Sequence, residues 1–114
     1  MKFVIAVIQP TQLRAVKQAL VDVGVERITI CDSQEFAQHE RVPIYRGVKF
    51  RADVLRKITI NIAVNDDFLE RTIETIQRVA RTELGGSDGD GKIFVLPLEQ
   101  VTDSSTERRG PGAI

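Results

Sequence analysis

Residues 2–9 read Lys2-Phe3-Val4-Ile5-Ala6-Val7-Ile8-Gln9. A period of two puts Phe3, Ile5 and Val7 on one face of a strand and Val4, Ala6 and Ile8 on the other. Both faces are apolar, which predicts a central strand covered on both sides. Pro10 ends it. Thr11 then stands where it can cap a helix whose apolar stripe is Leu13, Val16, Leu20 and Val23. Gly24 ends that helix in the C′ position. Residues 27–32 form a second strand, with Ile28 and Ile30 on one face and Thr29 and Cys31 on the other.

The alternation then lapses. Residues 34–56 carry Gln34, Glu35, Gln38, His39, Glu40, Arg41, Arg46, Lys49, Arg51, Asp53 and Arg56, with Pro43 and Gly47 among them. A polar segment of this length in a small domain is either a functional loop or an extended hairpin with a solvated tip. Within it Tyr45, Arg46, Gly47 and Phe50 offer aromatic and cationic anchors for a partner surface. Clean alternation returns in a third strand over residues 58–64. Asn65-Asp66-Asp67 opens a second helix, Asp67 and Glu70 resemble a capping box, and Leu69, Ile73, Ile76 and Ala80 make its stripe. Residues 85–91 are rich in glycine and end at Lys92. Convergent backbone N–H groups followed by a lysine suit a phosphate, although glycines between helix and strand also serve as a plain turn. A Walker loop is excluded, because its spacing is absent and a strand follows rather than a helix. Residues 93–98 are the last strand, and Pro97 places it at a sheet edge. The tail over residues 102–114 is polar.

The order β-α-β-β-α-β is the ferredoxin-like plan, an α+β fold with a four-stranded antiparallel sheet and two helices on one face. Two helices cannot cover both sides of the sheet. The apolar character of the first strand on both faces therefore predicts that copies of the chain cover the open side.

Composition narrows the class. The chain has 114 residues with a formal net charge of zero, which predicts one domain over residues 1–114 and no general grip on nucleic acid or an anionic membrane. The single cysteine, Cys31, excludes an internal disulfide and fits a reducing compartment. The apolar run at the start is too short for a signal segment or a membrane span, so a cytoplasmic protein without membrane insertion is expected. No nucleophile–base pair is evident, and an enzyme is not expected. The single histidine, His39, and Cys31 make a poor metal set, so no metal site is expected.

Several elements taken together resemble the PII nitrogen-regulatory signal-transduction family along nearly the whole chain. They are Ile8-Gln9-Pro10, Val23-Gly24-Val25, Thr29, Tyr45-Arg46-Gly47, Lys57, Val64-Asn65-Asp66-Asp67, Gly89-Asp90-Gly91-Lys92-Ile93-Phe94-Val95 and Ala113-Ile114. The resemblance implies a homotrimer with its sheets turned inward. It implies ATP or ADP in clefts between subunits, with Mg²⁺ possible beside ATP. It also implies a long loop, here residues 34–56, that docks on a transporter, enzyme or regulator of nitrogen metabolism. By similarity Gly89, Asp90, Gly91 and Lys92 would hold phosphates, and Thr29 and Ala63 would lie near adenine and ribose. The run Phe36-Ala37-Gln38 would close the nucleotide site from the loop base, and Lys57 with Gln38 would bind 2-oxoglutarate.

Departures accompany the resemblance. Typical members carry Phe-Gly-Arg-Gln where this chain has Phe36-Ala37-Gln38-His39, and either Gln38 or His39 stands in for the glutamine that ligates magnesium. Two arginines expected after the last strand are Asp103 and Ser105, with Arg108 and Arg109 further on. An aspartate there repels a triphosphate. Phe50 replaces the tyrosine used for nucleotidylation, and Val48 replaces a serine used for phosphorylation. These changes predict a divergent member with weakened or altered nucleotide binding, or with a different ligand. A metal-tolerance trimer of the same fold and an acyl phosphate hydrolase on a ferredoxin-like scaffold, for which Arg46 and Asn61 are present, are the competing readings.

Overall fold

The computed structural model describes residues 1–40, 50–81 and 91–114, with side chains outside 37–40 and 50–53. The elements are β1 (Lys2–Ile8), a 3₁₀ turn (Pro10–Gln12), α1 (Leu13–Asp22), β2 (Thr29–Glu40), β3 (Phe50–Val64), α2 (Asp66–Ala80), β4 (Gly91–Pro97) and a second 3₁₀ turn (Gly110–Ala113). The four strands form one antiparallel sheet in the order β2-β3-β1-β4. This is the expected ferredoxin-like α+β architecture.

The core lies on one face of that sheet. Val4, Ala6 and Ile8 of β1 and Ile58, Ile60, Ile62 and Val64 of β3 are buried together with Val16 and Leu20 of α1 and Ile76 and Ala80 of α2. Pairing of Val4 with Ile62 and Ala6 with Ile60 keeps these side chains on one side. A slip of one residue would turn them all to the opposite side, so burial fixes the register.

Helix ends show where local sequence rules were overridden. Gly24 has φ +94° and ends α1 as expected. Its N–H bonds the Val21 carbonyl at 3.0 Å, and the Val25 N–H bonds the Leu20 carbonyl at 2.9 Å. That pair of bonds is a Schellman motif, with buried Val25 and Leu20 as its apolar contact. Thr11 does not cap α1. It lies inside the 3₁₀ turn, where the Gln12 N–H bonds the Gln9 carbonyl at 3.0 Å. The capping box of Asp67 and Glu70 does not form either: Asn65 is the N-cap and makes no side-chain cap bond. Its amide nitrogen instead donates to the Pro111 carbonyl at 3.2 Å, tying α2 to the tail.

The buried face of α2 also differs from the apolar stripe. Thr72 and Thr75 are buried on it, while Ile73 is only half-buried. Each threonine hydroxyl donates to the carbonyl four residues earlier, Phe68 and Arg71 respectively, at 2.7 Å. A hydroxyl satisfied within its own helix leaves a methyl group to pack, so threonine serves as a core residue here.

The polar segment resolves in favour of the hairpin for its described parts. Residues 34–40 and 50–56 continue β2 and β3, with Gln34 opposite Arg56, Phe36 opposite Val54 and Glu40 opposite Phe50. Tyr45, Arg46 and Gly47 lie outside the described residues, as do Gly89 and Asp90.

Candidate functional site

The second face of the sheet carries the candidate site. It is set by the residues that alternate with the core: Phe3, Ile5 and Val7 on β1, Lys57, Thr59, Asn61 and Ala63 on β3, and Thr29, Cys31, Ser33 and Glu35 on β2. Phe94 opposite Ile5 and Leu96 opposite Phe3 extend it onto β4. The face is divided. Its β1–β4 half is apolar apart from Lys92 at one end, and its β2–β3 half is mostly hydroxyl, amide or charged.

At one end of this face a cavity of about 350 Å³ opens between β2, β3 and the start of β4. Lys57 lies in its wall and is only 4% exposed. A lysine removed from water to this degree requires a compensating partner, and Lys57 has one. Lys92 enters the same cavity from β4, opposite Val7. In the same cavity the Ser33 and Thr59 hydroxyls lie 2.9 Å apart. Gly91 brings the β4 backbone hard against β1: its φ is +121°, and a Cβ placed there would stand 1.7 Å from the Val7 carbonyl oxygen. Only glycine permits that approach. Two cations, two hydroxyls and a glycine-lined backbone suit an anion carrying several oxygens, such as a phosphate chain.

The structure thus brings Lys57, Gly91 and Lys92 together. It sets other expected residues apart within one chain. Thr29 is exposed opposite Asn61, away from the cavity. Ala63 borders a second cavity of about 290 Å³, formed with Arg27, Asn65, Phe68 and Ile114. Phe36 is 67% exposed, and its pairing with Val54 puts it on the opposite side of the arm from Lys57. The backbones of Ala37, Gln38 and Phe50 lie in the arm strands. Ser33, Glu35, Thr59 and Phe94 line the lysine cavity and were not singled out from sequence. The alternation of Thr29 and Cys31 continued along β2 would have found Ser33 and Glu35.

The tail explains Asp103 and Ser105. The Asp103 carboxylate accepts the Ser105 N–H at 2.8 Å, the Ser105 hydroxyl at 2.9 Å and the Thr106 N–H at 3.3 Å. These bonds, the Ser105 N–H foremost, hold its carboxyl below the usual carboxylate range. The Asp103 N–H bonds the Arg108 carbonyl at 2.8 Å, Thr102 bridges Arg109, and the tail folds back as a tight hairpin. Asp103 and Ser105 are thereby engaged with each other as turn residues. Among the described residues no group of three His, Cys, Asp or Glu side chains is placed to hold a metal ion. A cation at this site would therefore need oxygens from the anion itself.

The fold and cavity define a small α+β protein: an open-faced ferredoxin-like sheet with two lysines at the wall of a cavity at its end. The family model described as nitrogen regulatory protein P-II matches residues 1–108, and the chain belongs to that family. It is 48% identical to nitrogen regulatory protein GlnK1 of Methanosarcina mazei, over 100% of this chain and 97% of the relative. Nitrogen regulatory protein P-II of Azospirillum brasilense is 40% identical over the full length of both chains. Among solved structures, a B. subtilis GlnK–ATP complex superposes with a TM-score of 0.85 at 32% identity, covering 99% of this chain and 96% of the other. Among the described residues no helix is long and apolar enough to cross a membrane.

Proposed function

We propose that this chain is a regulatory trimer that senses an adenine nucleotide, ATP or ADP, in clefts between subunits, and passes the state of the cleft to a target protein through its long β2–β3 arm. The observation that carries this reading is the cavity at the end of the open face, whose wall holds both buried Lys57 and exposed Lys92. The similarity to a GlnK–ATP complex supports the choice of nucleotide. Lys57, at the root of the arm, is also the residue expected to meet a carboxylate effector such as 2-oxoglutarate, beside Gln38. Gly89 and Asp90 are assigned to phosphate binding with Gly91 and Lys92, and Thr29 and Ala63 to the base and sugar across the subunit seam. Tyr45, Arg46, Gly47 and Phe50 are assigned to target contact.

Engagement of Asp103 and Ser105 in the tail turn favours a cleft with fewer cations than the family pattern, and so a weaker grip on the triphosphate than on the diphosphate. Titration calorimetry with ATP, ADP and AMP, with and without Mg²⁺ and 2-oxoglutarate, tests both parts. Binding of ATP or ADP supports the sensor. Tight Mg-ATP binding enhanced by 2-oxoglutarate would contradict the weakened cleft. Sedimentation of the purified chain as a single subunit would remove the clefts altogether.

A further inference from the structure

Asn65 stands where two parts of the fold compete for one side chain. Its backbone has the extended N-cap conformation, with φ −75° and ψ 155°. From there an asparagine side-chain oxygen ordinarily accepts a first-turn N–H of the helix that follows. That cap bond is not made. The amide nitrogen donates instead to the Pro111 carbonyl at 3.2 Å, far along the chain. The oxygen of the same side chain, Oδ1, is buried and has no hydrogen-bond partner among the described residues. An orphaned buried acceptor and an unmade cap both weigh against this arrangement.

The docked tail sustains it, and the tail is lightly fastened. None of residues 102–114 is buried, so little apolar packing holds them down. The Gly110 N–H bonds the Val101 carbonyl at 2.8 Å, and Gly110 itself has φ +76°. Beyond Pro111 the chain brings Ile114 into the wall of the cavity of about 290 Å³ that Ala63, Asn65 and Phe68 also line. Turning the Asn65 side chain would exchange one bond for another. Oδ1 would gain a first-turn N–H of α2, and the Pro111 carbonyl would lose its donor.

We propose that Asn65 is a two-position latch between α2 and the tail. Turned to Pro111 it holds the tail against the cavity, and turned to the first turn of α2 it caps the helix and lets the tail go. An occupant of that cavity and the docked Ile114 then compete. The inference does not depend on the nucleotide reading and is tested without ligand, by amide hydrogen exchange of the full chain in NMR. Gly110→Ala loosens the tail away from Asn65: the added Cβ has no atom within 4 Å, yet φ +76° disfavours alanine. The amides of residues 110 and 114 are expected to exchange about fivefold to tenfold faster, and those of Asp67 and Phe68 more slowly by a similar factor. Asn65→Asp keeps the capping acceptor, removes the donor and should give the same pair of changes. Asn65→Ala has neither group and should free the tail without slowing exchange at the start of α2. Circular dichroism checks that each variant is folded. The latch is overturned if Gly110→Ala speeds exchange in the tail while Asp67 and Phe68 keep their rates or exchange faster. It is overturned equally if Asn65→Asp leaves the tail amides unchanged.

Discussion

The two faces of one sheet are made from alternate residues of the same strands, yet they answer to different demands. On the covered face Val4, Ala6, Ile8, Ile58, Ile60 and Ile62 are at most 4% exposed beneath the chain's own helices. On the open face Phe94 is 49% and Leu96 42% exposed, and Phe3, Ile5 and Val7 are half-buried. The part of the covered face beneath the helices is uniformly apolar, whereas the open one joins an apolar half to hydroxyls, an amide and lysines. Stability of the single chain therefore resides on the first face. The proposed association and ligand binding are assigned to the second, where exposed apolar surface adjoins hydroxyls, an amide and lysines.

That division can be broken most severely at Ile60. Truncation to alanine leaves a cavity at the centre of the covered face and should lower the unfolding free energy by about 3–4 kcal/mol in urea titration. The counterpart Ile5→Ala should cost clearly less when both variants are compared as dissociated chains. Equal losses would mean that the open face carries as much of the fold. Next in size is Gly91→Ala. The added Cβ meets the Val7 carbonyl at 1.7 Å in a positive-φ conformation, and β4 must part from β1 at its start. A loss of about 3 kcal/mol is expected, with faster amide exchange at Val7 and Ile8.

Lys57→Ala sharpens the contrast from the other side. Ligand affinity should fall by roughly 30-fold to 150-fold, since a charge-assisted contact is worth about 2–3 kcal/mol, while the helices and core stay intact by circular dichroism. Retained affinity would move the ligand away from this cavity.

The smallest effect is expected in acid. Asp66 is held below the usual carboxylate range first by its hydrogen bond with the Met1 amine and then by Lys2, and Asp103 by the Ser105 N–H. Both groups bind fewer protons folded than unfolded. Their contribution is complete above the ordinary carboxylate pKa and is lost as pH falls through the lowered folded values, below about pH 4. Both are exposed, so the change should be slight. Carboxyl-carbon NMR titration should give Asp103 a midpoint below that of a model peptide, and Ser105→Ala should raise it in part.

Much of this was legible in the chain because burial has a simple period. Alternation in β1 and at the end of β3, and Gly24 at the end of α1, needed no tertiary knowledge. The caps of α1 and α2 were misread because a cap depends on where the side chain finds its best partner. Asn65 found the Pro111 carbonyl, which no local rule foresees. The threonines of α2 were passed over because polarity was taken as exposure, although a hydroxyl bonded within its helix packs like an apolar group. Glu35 and Ser33 were hidden in a stretch whose polarity masked its alternation.

The order of residues alone set the element types, the sidedness of the sheet and the family, because each follows from spacing along one strand or helix. It could not say that Lys57, Lys92 and Glu35 share one cavity, or that Asp103 folds the tail back on itself. Those facts depend on strands from distant parts of the chain lying side by side in a particular register. Only packing of the covered face fixes that register.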